Sequence, residues 1–177
     1  MESFMGLPAH PLFVHFPVVL MPLVFVASVA LAARPAWRRR FGWALALAAF
    51  AVMVGTFLAA SSGEALNELT GELSPIEDHE KLANMTRILT VLFFLAVVAT
   101  VVVDRLAARR AVGTAPAGGT ASAAEAGQPR SMGQAGMAAA GLAVVFGLLG
   151  SIWMIRTGHE GASVHWDGTI VEEDGGG

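Results

Sequence analysis

The sequence predicts an all-α protein built as a transmembrane four-helix bundle, and three observations lead to that prediction. Hydrophobic residues make up 55% of the 177 residues and charged residues only 14%, and the mean hydropathy of +0.62 exceeds that of soluble proteins. Four apolar stretches, 12–33, 43–62, 82–103 and 132–155, each reach the roughly 20 residues that cross a ~30 Å hydrocarbon core. No segment has the alternating pattern of a strand. Helices are then the means of satisfying backbone groups in lipid, and we expect an up-down-up-down bundle.

The four spans form a single predicted membrane domain, residues 1–166. Residues 111–131 are rich in Ala, Gly, Thr, Ser and Pro, which is typical of a mobile linker. Residues 167–177 are acidic and glycine-rich, which predicts a disordered tail. The chain contains no cysteine, so disulfides, thiolate metal sites and c-type haem attachment through C-x-x-C-H are excluded.

Basic residues predict the orientation of the bundle. When the amino terminus is placed on side one, side two receives eight arginines: Arg34, Arg38, Arg39, Arg40, Arg105, Arg109, Arg110 and Arg130. Side one keeps Lys81, Arg87 and Arg156. Because Lys and Arg are retained in the cytoplasm, side two is predicted to be cytoplasmic, with both termini outside a bacterial inner membrane. The acids are distributed the other way, with only Asp104 and Glu125 on side two.

Prolines and capping residues predict where two of the helices begin. Pro11 follows His10 and suits the first turn of a helix, where a missing N–H costs nothing. Ser74-Pro75-Ile76-Glu77 resembles a capping box, so the third helix should begin there and run to Arg110. Pro17 and Pro22 fall deeper in the first span and predict a kink beside His15, which fits either packing or the shaping of a pocket.

Small residues recur along the fourth span. Gly136 precedes Ala140 by four residues, and Gly147 precedes Ser151 by the same spacing. This spacing allows helix backbones to approach closely, so the fourth helix is expected to pack tightly. It is also a candidate surface for homo-oligomer formation.

A polar stripe is predicted at the start of the third span. Glu80, Asn84 and Arg87 follow one another at spacings of four and three residues, which places them on one helix face. An arginine at this depth needs a partner or must extend toward water. Glu64, Glu80 or Glu160 could supply the carboxylate.

All five histidines lie just beyond the ends of apolar runs, and the predicted threading brings them to the extracytoplasmic face. His10 and His15 open the first helix, His79 opens the third, and His159 and His165 follow the fourth. Imidazole binds transition metals and haem iron. We expect haem ligands among His15, His79 and His159, whereas a metal ion could draw on all five histidines. The alternative is that each histidine is an interfacial residue.

Polar residues around this face could support such a site. Glu160 or Asp78 could orient a ligating imidazole. The predicted supporting set consists of Glu64, Glu80, Arg87, Arg156 and Glu160.

The residues at these positions resemble a known family. His10-Pro11, His15-Phe16-Pro17, His79 at the head of the third span and Gly158-His159 with Gly161-Ala162 are similar to the bacterial membrane proteins grouped as domain of unknown function 2231. The resemblance covers nearly the whole chain except the linker and the acidic tail, and it implies four spans. Some members are joined to c-type cytochrome modules, so the resemblance also implies electron transfer.

Three functions follow as hypotheses. The first is a b-type haem protein that passes electrons to a partner such as a c-type cytochrome or quinol. The second is a non-haem protein that binds zinc, copper or iron. The third is a structural or assembly subunit whose fourth helix docks a partner or a second copy.

Other functional classes find little support. Nucleic-acid binding is not predicted, because topology already explains the basic residues. The chain has no Gly-rich phosphate loop, no G-x-S-x-G turn and no H-E-x-x-H helix, so an enzyme with its own substrate is unsupported. A transporter is disfavoured, because no acidic residue lies in the middle of a predicted span.

Overall fold

The computed structural model consists of four long helices around a shared apolar core. It describes the backbone of residues 3–4, 7–70, 76–113 and 128–170, and the side chains within residues 14–62, 81–110 and 133–159. The helices are α1 (Ala9–Ala33), α2 (Pro35–Thr70), α3 (Ile76–Gly113) and α4 (Gln128–Ile170).

Each helix contains a segment long and apolar enough to cross a membrane. The four segments are Val14–Ala33, Pro35–Ser62, Lys81–Arg110 and Gly133–His159. The prediction of an all-α chain with four helices of membrane-spanning length is therefore confirmed.

A minimal strand pair precedes the first helix, where no strand was predicted. Strand β1 (Ser3–Phe4) pairs antiparallel with β2 (Leu7–Pro8), and Ser3 lies opposite Pro8. Two residues per strand are too few to produce an alternation of apolar and polar residues, so no sequence pattern marks this pair.

The helices extend beyond the apolar spans that the sequence indicates. Helix α2 begins at Pro35 instead of near residue 43, and α4 runs from Gln128 to Ile170. The predicted linker is therefore helical at both ends, and residues 167–170 of the predicted tail are helical. Hydropathy identifies only the apolar part of a helix. The helices continue beyond it, because residues with polar side chains form the same backbone hydrogen bonds. The middle of the linker and residues 171–177 lie outside the described residues.

A single residue, Arg34, connects α1 to α2. Its carbonyl oxygen accepts hydrogen bonds from the backbone N–H groups of Trp37 (2.9 Å) and Arg38 (3.1 Å). Pro35 occupies the first position of α2, where the absence of an N–H group costs nothing. The chain therefore reverses without a loop, and Arg38 lies in the second turn of a helix.

Neighbouring helices pack in chain order around a ring, and α4 closes the ring against α1. Glycines mark the close approaches. A Cβ atom at Gly55 of α2 would lie 2.7 Å from Phe16 Cδ1 of α1. A Cβ atom at Gly42 of α2 would lie 2.9 Å from Val101 Cγ2 of α3. These contacts join the beginning of one helix to the end of the next.

Small residues of α4 are used within the chain's own bundle. Gly147 faces Phe25 and Phe93, and Gly150 faces the methyl group of Met21. Ala140 and Ser151 are also buried. The tight packing expected of this helix is thus observed inside the bundle, which removes most of the small-residue stripe from the surface.

Polar side chains in the core hydrogen-bond to the backbone of their own helix. Thr56 donates to the carbonyl of Val52 (2.9 Å), Thr100 to that of Ala96 (2.8 Å) and Ser151 to that of Gly147 (2.8 Å). These bonds satisfy the hydroxyl groups where water is absent. Phe93, Met21, Val52 and Val97 fill the space between them.

The outer surface of the bundle is apolar. Leu47 is 69% exposed and Val26 is 62% exposed, and large hydrophobic side chains project outward from every helix. A surface of this kind would associate in water, whereas hydrocarbon solvates it well. The helices therefore have both the length and the exterior of membrane spans.

Candidate functional site

Two described histidines lie at the same end of adjacent helices. His15 is exposed near the start of α1, and His159 is exposed in the last turns of the spanning part of α4. A Cβ atom at Gly158 would lie 3.8 Å from Val18 Cγ2, so the two helices touch just beneath both imidazoles. At 1.5 Å rise per residue, His15 lies about 4.5 Å beyond this contact along its helix and His159 about 1.5 Å beyond it.

Helix α3 joins this end through a pair of threonines. The hydroxyl groups of Thr86 and Thr157 lie 3.1 Å apart, so one can donate to the other, and each also lies within hydrogen-bond distance of a carbonyl oxygen of its own helix. A hydrogen bond between helices at this depth fixes the position of α3 against α4.

The remaining histidines occupy backbone positions further along the same helices. His79 lies in α3 seven residues before Thr86, and His10 and His165 lie in α1 and α4. The helical rise places all three about 10–12 Å beyond the Val18–Gly158 and Thr86–Thr157 contacts. Their side chains lie outside the described residues. The histidines therefore form two levels, with His15 and His159 nearer the core.

Within the described side chains, no group of three His, Asp or Glu residues could hold a metal ion. The core below the lower level is filled, because Gly150 packs directly against Met21 and Gly147 against Phe93. A haem held by His15 and His159 would therefore lie on the outside of the packed core. His15 and His159 are the two described residues that could hold such a haem, because imidazole is a ligand that haem iron accepts.

The predicted supporting residues are described only in part. Arg87 is half-buried and Asn84 is exposed, whereas the side chains of Glu64, Glu80 and Glu160 lie outside the described residues, so the proposed pairing of Arg87 stays a prediction. Arg156 is exposed, and its guanidinium lies 5.6 Å from the ring centroid of Trp153 on its own helix.

A buried ion pair lies at the opposite end of the bundle. Arg38 Nε of α2 donates to Asp104 Oδ2 of α3 at 2.6 Å, and Arg38 Nη2 donates to Asp104 Oδ1 at 3.0 Å. Only 7% of the Arg38 side chain and 12% of the Asp104 side chain are exposed. This two-point geometry is the strongest arrangement available to a guanidinium and a carboxylate.

Helix α4 covers this pair with a glycine. A Cβ atom at Gly136 would lie 2.7 Å from Asp104 Oδ1 and 3.5 Å from Arg38 Nη2. The absence of a side chain lets the backbone of α4 approach the two charged groups. Gly136 therefore joins three helices at this end of the molecule.

Sequence reasoning did not predict this pair. The pattern of basic residues indicates Arg38 only as a determinant of orientation, and no sequence pattern indicates a role for Asp104. Two signals were present: Asp104 interrupts an arginine-rich side that has one other acid, Glu125, and Pro35 marks a helix start that places Arg38 in α2.

Comparison with known proteins identifies a family. The family model described as predicted membrane protein (DUF2231) matches residues 6–173. Searches of the curated proteins and of the solved structures found no match.

Proposed function

The chain belongs to the DUF2231 family of predicted membrane proteins, and from that premise we propose that it is an inner-membrane protein that binds b-type haem at its extracytoplasmic end. The observation that supports this proposal is the placement of His15 and His159 at nearly the same depth on touching helices. A haem bound there would supply one-electron redox chemistry. The protein would supply two imidazoles and an apolar surface that excludes water from one side of the porphyrin.

The proposal includes an up-down-up-down topology with both termini outside. The arginines at the Arg38–Asp104 end support it, because basic residues stay in the cytoplasm. The chain has no cysteine, so single cysteines can be labelled without background. We expect an impermeant maleimide to label Ser61→Cys in spheroplasts and to label Ala36→Cys only after the membrane is opened. The reverse pattern would overturn the orientation.

Absorption spectra of the purified full-length protein test the haem assignment. We expect a Soret band that shifts on reduction and that is lost in both His15→Ala and His159→Ala. The matched controls are His10→Ala and His165→Ala, which remove histidines of the outer level and should keep the band. A protein that stays colourless after haem supplementation rules this function out.

A metal ion is the second candidate, and the outer level of histidines favours it. His10, His79 and His165 come from three helices and lie at similar distances along them, by helical rise. Imidazole-rich sites suit zinc and copper. Elemental analysis should find metal in the wild-type protein and in His15→Ala but not in His79→Ala, the reverse of the pattern expected for haem.

A further inference from the structure

A cavity of about 330 Å³ opens between α2 and α3 beside the buried ion pair. Arg38 and Arg39 line it from α2, and Arg105 and Arg109 line it from α3, together with Asp104. Four guanidinium groups against one carboxylate leave three positive charges in excess. A cavity of this size falls at the lower end of the range of roughly 300–1,000 Å³ for small-molecule sites.

Asp104 does not satisfy the cavity's donors. Both of its oxygens are bonded to Nε and Nη2 of Arg38. The third nitrogen, Nη1 of Arg38, is buried and has no hydrogen-bond partner among the residues that the structure describes. A buried N–H group without an acceptor is unfavourable, so Asp104 leaves part of the hydrogen-bonding capacity and positive charge at this end of the bundle uncompensated.

The orientation of the protein in the membrane does not require this convergence. Arg34 lies 4.4 Å above the ring of Trp37, and Arg40 lies 5.3 Å from the ring of Phe41. Neither arginine lines the cavity, yet both contribute equally to the basic side. Cytoplasmic retention of Lys and Arg requires only that basic residues lie on one side of the membrane. It does not explain why four arginines line one cavity.

The surroundings of the cavity are those of a membrane interface. Trp43 lines it, is half-exposed, and lies 5.2 Å from the guanidinium of Arg105. Leu47 and Leu95, nearer the middle of the membrane on the same two helices, are exposed to the outside of the bundle. Tryptophan is enriched at the level of lipid headgroups, and exposed leucines below it offer a surface for acyl chains.

We infer that this cavity binds the phosphate group of an anionic lipid. The phosphate oxygens accept hydrogen bonds from the exposed guanidinium groups of Arg39 and Arg109, and the buried guanidinium of Arg38 adds positive charge beside them. The acyl chains lie along the apolar exterior of α2 and α3. Basic pockets between transmembrane helices recognise anionic headgroups by this chemistry, and a free phosphate ion would share the headgroup contacts but not the acyl contacts.

Native mass spectrometry of the full-length protein in detergent tests the inference. Phosphatidylglycerol and phosphatidylcholine are titrated separately, and inorganic phosphate is added as a competitor. The test variant is Arg39→Gln with Arg109→Gln, both exposed and therefore tolerable to the fold. The matched control is Arg34→Gln with Arg40→Gln, which removes the same charge from the same end outside the cavity.

We expect phosphatidylglycerol to bind about tenfold more tightly than phosphatidylcholine, with the preference lost in the test variant and lowered less than about threefold in the control. Equal affinity for the two lipids would overturn the inference. Equal loss of affinity for phosphatidylglycerol in the test and control variants would also overturn it, because nonspecific attraction to the basic end of the protein would produce that loss. If inorganic phosphate at equal concentration displaces the lipid, the cavity is a site for a soluble phosphate and the lipid assignment is wrong.

Discussion

The two ends of the bundle place their polar chemistry in opposite ways. At the histidine end, His15 and His159 are exposed, and a threonine pair joins α3 to α4 beneath them. At the arginine end, Arg38 and Asp104 are buried against each other, and Gly136 seals them. Exposed groups can be removed without disturbing the core, whereas buried charges are part of it. We therefore expect substitutions of the buried pair Arg38–Asp104 to change stability and substitutions of the exposed His15 and His159 to change binding.

Breaking the ion pair should give the largest effect. Asp104→Leu leaves the buried guanidinium of Arg38 without its carboxylate, and removing one partner of a buried pair costs about 3–5 kcal/mol. Unfolding of the purified protein in mixed micelles measures this free energy.

The double variant Arg38→Met with Asp104→Leu serves as the control for that prediction. It removes both charges and substitutes apolar side chains, so most of the lost stability should return. If the double variant is as unstable as Asp104→Leu, the lost free energy of unfolding comes from packing and not from an unpaired charge. The buried charges would then not distinguish the arginine end from the histidine end.

Gly136→Ala should give the next largest effect. The added methyl group would crowd Asp104 Oδ1 and force α4 away from the ion pair, at a cost of about 1–3 kcal/mol. Gly141→Ala is the matched control on the same helix, because nothing lies within 4 Å of a Cβ atom there. Equal unfolding free energies for the two variants would contradict the close contact at Gly136.

The threonine pair should contribute less. Thr86→Val removes the hydroxyl group that faces Thr157, and hydrogen bonds between membrane helices average about 0.6 kcal/mol. A double-mutant cycle with Thr157→Val isolates the coupling between the helices. Thr56→Val is the comparison, because its hydroxyl group donates to the carbonyl of Val52 within its own helix. A coupling near zero would show that packing alone positions α3 at this end.

The smallest effect on stability is expected at the histidines. Because His15 and His159 are exposed, replacing either with alanine should change the unfolding free energy of the ligand-free protein by less than about 0.5 kcal/mol. Thermal unfolding of haem-free protein checks this value. A larger loss at His15 would indicate that its imidazole stabilises the helix ends themselves, which would weaken the contrast between the two ends.

Much of the fold could be predicted because the lipid environment imposes simple requirements. Length and hydropathy locate α1 to α4, since a span must reach across the hydrocarbon and satisfy its own backbone. The position of Ser74 and Pro75 predicts the start of α3 within two residues of Ile76. These features depend on local sequence and on the solvent, so they can be read without knowledge of neighbours.

The arginine end could not be predicted in the same way. The pairing of Arg38 with Asp104 joins residues 66 positions apart, and it depends on the rotation of α2 and α3 about their axes. Apolar residues surround each span, so hydropathy gives little information about which face is inward. At the histidine end, the sequence predicts that the histidines lie at a similar depth in the membrane. The direction of each imidazole, however, depends on the rotation of its helix about its axis.

The short reversal at Arg34 has a consequence for this rotation. One residue joins α1 to α2, so the connection is too short to accommodate an insertion without moving a helix. A residue inserted there would turn α2 by about 100° relative to α1, and Arg38 would swing away from α3 while an apolar neighbour took its place. The one-residue connection therefore fixes the rotation of α2 about its axis. This rotation determines which of Arg38, Arg39 and Arg40 faces the inside of the bundle.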